Sequence, residues 1–190
     1  MTTLYLFGSA APPVLEIAGV IENAQARGWD VCLGLTPTAS RWLDDQLPEL
    51  ERLTGHPVRS EYKLPTEPDV WPKADVILLA PATFNTINEW SLGLTSKFVV
   101  GVVAEAIGKE IPTVAMPCVN SAYAQHPQFH WSVDALRSMG VTVLYGEGGF
   151  VPNQPGERRP EGYPWHLALD AVETIVRPSA YHPARGNRTA

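Results

Sequence analysis

Short apolar runs alternate with longer amphipathic stretches along almost the whole chain. TLYLFG (3–8) is a strand-length run ending in glycine. VLEIAGVIENAQARGW (14–29) then spaces Val14, Ile17, Val20, Ile21 and Ala24 along one helical face, with Pro12 and Pro13 suited to a first turn. DVCLGL (30–35) predicts a second strand, followed by a helix around 39–54 and a short third strand in VRSEY (58–62). The proline-rich stretch 63–72 reads as a loop. ADVILLA (74–80) is continuously apolar, as expected of a strand covered on both faces. Two helices follow at about 85–94 and 96–109. The segment FVVGVVAEAI (98–107) is apolar nearly all round, which predicts burial within the chain or at a subunit contact. Strand PTVAMP (112–117), a helix at 127–139, strand VTVLY (141–145), a Gly/Pro-rich stretch at 146–164 and a helix near 165–176 complete the pattern.

This alternation predicts an α/β fold with three layers: a doubly wound parallel sheet of about six strands, Rossmann-like or flavodoxin-like. Residues 1–177 are expected to form one domain and 178–190 a disordered tail. In such folds ligands bind beyond the carboxyl ends of the strands. Those ends are Gly8-Ser9-Ala10, Thr36-Pro37-Thr38, Pro81-Ala82-Thr83-Phe84-Asn85-Thr86 and Pro117-Cys118-Val119-Asn120. All four are rich in small, hydroxyl or amide residues. Each could simply cap the next helix; four in one sheet favour a ligand site.

Composition narrows the ligand. With 190 residues, a formal charge of −6 and 18% charged residues, the chain has no basic footprint for nucleic acid. No run approaches the roughly 18 apolar residues of a membrane span, and no leader pattern opens the chain, so no membrane association and a cytoplasmic location are expected. Cys32 and Cys118 cannot build a disulfide framework, no Cys/His spacing suits a structural zinc, and no metal is expected. Neither G-x-G-x-x-G after strand one nor G-x-x-x-x-G-K-[ST] is present, which argues against dinucleotide and ATP sites. Neutral hydroxyls and helix N-termini can still hold a phosphate.

Here the motifs resemble a known family. PATFNTIN (81–88) is similar to the PASANT motif, and PCVN (117–120) to the PAMN motif, of the homo-oligomeric flavin-containing cysteine decarboxylases. Pro127, seven residues after Asn120, matches the family's proline; GSAA (8–11) and TPTA (36–39) resemble its phosphate-side turns. The likeness runs in order over roughly 3–145. It implies an FMN cofactor held by Gly8, Ser9, Ala10, Thr36, Thr38, Pro81, Ala82, Thr83, Asn85 and Thr86. It also implies a homotrimer, or a dodecamer of trimers, with FMN at a subunit contact. The implied reaction is oxidative decarboxylation of a cysteine-like carboxylate, on a peptide C-terminus or a small metabolite, to an enethiol.

The pattern breaks where the family carries its catalytic histidine. Eight residues before Asp75 stands Glu67, which would serve as a base only if burial raised its pKa. His126, beside Pro127, is the histidine that could approach the same pocket; Asn120 is the implied holder of the substrate carboxylate. Glu89 replaces a common lysine and Ser96-Lys97 a common Asp-Asn. The stretch 146–164 stands where the family has a substrate-covering flap; it contains no cysteine, and its Arg158 and Arg159 could meet an anionic substrate. The alternatives are an FMN-binding regulatory or non-decarboxylating flavoprotein and, less supported by PCVN, a flavin prenyltransferase.

Overall fold

The computed structural model describes residues 1–157 and 162–177. Five parallel strands form one sheet in the order β2-β1-β3-β4-β5. They are β1 (Thr2–Gly8), β2 (Trp29–Leu35), β3 (Val76–Ala82), β4 (Thr113–Pro117) and β5 (Thr142–Val143). Every residue of β3 and β4 is buried, as their unbroken apolar runs require. Fully burying a Leu, Ile or Val side chain contributes about 1.5–3 kcal/mol, so this central pair anchors the domain.

The expected third strand at 58–62 does not form. Only Arg59 pairs with β2: its N–H donates to the Leu33 carbonyl and its carbonyl accepts from Leu35, at 3.1 and 2.8 Å. The chain then leaves the edge because Tyr62 turns toward the opposite layer, where its hydroxyl donates to the Thr95 carbonyl and its ring meets Phe98 edge-on. The predicted strand 141–145 is shortened for a related reason. After Leu144 the backbone folds back, with Phe150 N–H donating to the Leu144 carbonyl. Gly149 is required there, since a Cβ would collide with the backbone of Leu144 and Tyr145.

Helices occupy both faces. On one side, α1 (Ile17–Ala26) follows a 3-10 turn at Pro12–Glu16, and its end is tied to α8 (Trp165–Val176). Arg27 bridges Asp170 and Glu173 of α8, each at 2.7 Å. The stretch expected as one helix at 39–54 divides into α2 (Pro37–Trp42) and α3 (Leu47–Thr54), because Pro48 fits only a first helical turn. The other side holds α4 (Phe84–Ser91), α5 (Phe98–Gly108) and α7 (Pro127–Ser138), with the short α6 (Ser121–Ala124) leading into α7. The apolar α5 is largely consumed within the chain: Phe98, Val99, Val100, Val103 and Ala106 are buried, and Phe98 packs edge-on against Phe7 and Trp71.

β1 is the switch point. Its chain leaves to β2 on one side through α1, while neighbouring β3 runs into α4 on the opposite face. The loops after β1 and β3 therefore diverge and open a crevice at the carboxyl edge. No described helix is long and apolar enough to cross a membrane. The tail 178–190 and the pair Arg158 and Arg159 lie outside the described residues.

Candidate functional site

A cleft of about 350 Å³ lies in that crevice. Ala10 to Pro13 after β1, Thr83 to Asn85 after β3 and Cys118 to Asn120 after β4 form its base. Phe150, Asn153, Glu157 and Tyr163 approach from the stretch that follows β5. Three of the four strand ends predicted from the sequence thus converge on one space.

The β1 and β3 ends are locked together. Ser9 N–H donates to the Pro81 carbonyl at 2.9 Å, and the Ser9 hydroxyl donates to Thr86 Oγ1 at 3.0 Å. Thr86 Oγ1 in turn lies 3.0 Å from Thr83 Oγ1. Ser9 and Thr86 are each 1% exposed, so this hydroxyl chain stands behind the wall rather than on its surface. Thr83 is the N-cap of α4, accepting from Thr86 N–H at 3.4 Å. The N–H groups of Phe84 and Asn85, in the first turn, have no intrahelical acceptor and carry the positive end of the helix dipole. Pro81 and Ala82 are buried backbone formers of this wall, with the Ala82 carbonyl accepting from Cys118 N–H at 2.8 Å.

The β2 end joins less directly. Thr36 is buried, and its N–H donates to the Gly8 carbonyl at 2.9 Å; Thr38 is exposed, and its hydroxyl accepts from Arg41 at 3.0 Å. Neither lines the cleft, and Gly8 and Ser9 lie behind it.

Asn120 is both cap and wall. Its Oδ1 accepts from Tyr123 N–H at 3.0 Å at the start of α6, which leaves the Nδ2 donors for the cleft. The stretch that covers the cleft is pinned to the same turn. Ser121 N–H donates to the Asn153 carbonyl at 2.7 Å, and Gln154 N–H donates to Glu157 Oε2 at 3.0 Å. Aromatic rings supply the apolar surfaces: Phe84 lies 4.8 Å from Tyr123, and Phe150 lies 5.5 Å from Tyr163.

Two cleft groups hold their protons firmly. Burial pushes the Cys118 thiol from 9.0 up to about 11. Burial, reinforced by the nearby Cys118, raises Tyr163 well above its ordinary value; its hydroxyl donates to the Met116 carbonyl at 2.5 Å. Cys118 is therefore a neutral thiol at physiological pH rather than a nucleophile.

Glu67 and His126 are placed elsewhere. Glu67 is exposed, and its carboxylate closes a turn by accepting from Leu64 N–H at 2.9 Å. His126 caps α7, with Nδ1 accepting from Gln128 N–H at 3.1 Å, and it packs against the Phe84 ring without lining the cleft. Among the described residues no histidine lines the cleft. The departures at Glu89 and Lys97 prove to be one ion pair, with Lys97 Nζ at 2.6 and 2.7 Å from the two Glu89 oxygens. The carboxylate at position 89 is thus matched by the ammonium at position 97.

The sequence reading missed Phe84, Tyr123, Phe150, Asn153 and Tyr163 as wall residues. Phe84 stood inside PATFNTIN, where attention to hydroxyls and amides passed over the one large apolar residue. Phe150, Asn153 and Tyr163 come from a stretch whose sequence has no periodicity to orient them.

Comparison with known proteins agrees with this fold. The Flavoprotein family model matches residues 3–161. A stretch of 72 residues, 38% of this chain, is 32% identical to the coenzyme A biosynthesis bifunctional protein CoaBC of Thermococcus kodakarensis. That match spans 18% of the relative's length. The fold is shared with the FMN-dependent cysteine decarboxylase SpaF, at a TM-score of 0.67 and 21% identity over 90% of this chain and 97% of that one. It is also shared with the cypemycin decarboxylase CypD, at a TM-score of 0.71 and 14% identity over 95% and 96% of the two chains.

Proposed function

Because the chain belongs to the Flavoprotein family, we propose that it is an FMN-dependent enzyme that oxidatively decarboxylates a cysteine-like carboxylate to an enethiol. The observation that carries this reading is that Asn120 and the Thr83–Asn85 turn line one cleft. The donor set fits an FMN. Thr83, Asn85 and the two free N–H groups of α4 would hold its phosphate and ribityl chain, needing no lysine. Ser9 and Thr86 keep that turn in place from behind. Ala10, Val119 and the aromatic walls offer apolar surface to a flavin ring.

When bound, FMN would supply the two-electron oxidation of the carbon that bears the substrate thiol, the step no side chain here can perform. Asn120 would donate from Nδ2 to the substrate carboxylate, in a direction fixed by the bond from Tyr123 N–H to its Oδ1. Phe84, Tyr123 and Phe150 would exclude water and lower the local dielectric around that contact. With no cysteine in the stretch after β5 to reduce the product, the enethiol would leave unreduced.

The test is incubation of flavin-loaded protein with peptides ending in cysteine, followed by mass spectrometry. Turnover removes about 46 Da, as CO₂ plus two hydrogens. Equal turnover by Asn120→Ala would overturn the assignment. A second reading, a flavoprotein that binds FMN without decarboxylating, is favoured by the absence of Glu67 and of any described histidine from the cleft lining. It predicts a yellow protein whose absorbance near about 450 nm is unchanged by such peptides.

A further inference from the structure

At the far end of the sheet from the cleft, Asp30, Cys32 and His56 bring one oxygen, one sulfur and one nitrogen together within 4.8 Å of one another. The fold builds this cluster in three steps. Asp30 and Cys32 are two residues apart on β2, so their side chains share one face of the strand. The Asp30 side chain is partly exposed, so that face is reachable from solvent there. His56 arrives from α3, whose last residue is followed by Gly55 at φ 73°, a left-handed turn that reverses the chain toward β2. The Thr54 hydroxyl, donating to the Leu50 carbonyl at 2.9 Å, holds this turn, and His56 N–H donates back to Thr54 Oγ1 at 3.3 Å.

We propose that these three side chains form a binding site for a zinc-class divalent ion, with a fourth position open to water. The donor set is a thiol that a bound zinc ion would deprotonate, an imidazole and a carboxylate, the mixed soft and borderline ligands that favour zinc over calcium or magnesium. His56 Nε2 and Asp30 Oδ1 already lie 2.9 Å apart, each side chain 21% exposed, while Cys32 is fully buried beneath them. The cluster is thus open on one side and closed on the other, as a three-ligand site needs to be. An ordinary His–Asp ion pair would account for two of the residues but gives the thiol no part. The thiol is what separates the two readings. Six residues of strand separate Asp30 from Thr36, about 20 Å at 3.3 Å per residue, so the site is independent of the cleft and of its chemistry.

The experiment uses tag-free, flavin-loaded protein, with zinc chloride and, separately, cobalt chloride as probes. One zinc ion per chain and a thiolate-to-cobalt charge-transfer band are expected in the wild type. Loss of an outer-shell partner typically weakens metal binding 10–100-fold, so loss of a ligand should weaken it by about a hundredfold or more. Cys32→Ser should abolish the charge-transfer band, and Cys118→Ser, which removes the other thiol, should leave it intact. Since Cys32 is buried and its variant could misfold, His56→Ala provides the second arm. That variant should keep its flavin absorbance yet lose zinc affinity and the rise in melting temperature that zinc gives the wild type. The proposal is overturned if the wild type takes up no zinc at equimolar concentration, or if Cys32→Ser and His56→Ala bind it as the wild type does.

Discussion

The hydroxyl chain Ser9–Thr86–Thr83 gives the sharpest test of how the cleft wall is held. Thr86→Val preserves shape and removes the oxygen that lies 3.0 Å from both neighbours. Ser9, 1% exposed, then keeps a buried hydroxyl with no acceptor at that position. An orphaned buried polar group costs about 1–3 kcal/mol. For a chain of this size each kcal/mol lowers the melting temperature by roughly 2–4 °C, so a fall of about 2–12 °C is expected. Ser9→Ala should cost less, about 0.5–1.5 kcal/mol, because Thr86 retains its contact with Thr83. The double variant should be milder than the sum of the two, since deleting Ser9 also removes the orphan. Urea unfolding of the flavin-free protein measures the stabilities, and fluorescence titration with FMN reports whether the α4 turn has moved. Strict additivity, or wild-type stability in Thr86→Val, would refute the claim that these hydroxyls act as one buried chain.

Three further outcomes follow from single contacts. Asn120→Asp keeps the cap of α6 and so should fold normally, yet it sets a carboxylate against the substrate's. Loss of a hydrogen bond to a charged group, about 1.5–3 kcal/mol, predicts a roughly ten- to hundredfold fall in kcat/KM, measured by enethiol formation. Glu89→Lys and Lys97→Glu should each destabilise, and the double exchange should recover most of the loss in thermal melts, because the pair is half-buried and mutually satisfied. Cys118 holds its proton more tightly folded than unfolded. Its contribution therefore falls as pH rises above 9.0, where the unfolded thiol ionises, and levels off above about 11. Chemical denaturation across that range should show a shallower alkaline decline in Cys118→Ala than in the wild type.

Sequence alone determined the architecture, because a buried parallel strand needs an unbroken apolar run, and a crossover helix needs an amphipathic one. VILLA and VAMP left little choice, and the polar residues that end each run marked the edge where the cleft opens. It could not determine which polar ends share a space. Thr83, Asn85 and Asn120 line one cleft, whereas Thr36 and Thr38 stand outside it and Ser9 behind it. That division follows from the strand order, which places the crevice between the ends of β1, β3 and β4 and sets β2 at the edge. Glu67 looked central by counting along the chain, yet it closes an exposed turn, since loop residues carry no periodicity to fix their direction. The Asp30–Cys32–His56 cluster shows the same limit from the other side. No sequence spacing announces it, because His56 reaches β2 only after a helix and a left-handed turn bring it back. Local patterns fix what each segment becomes; which side chains meet depends on crossovers and turns whose geometry exists only in the folded chain.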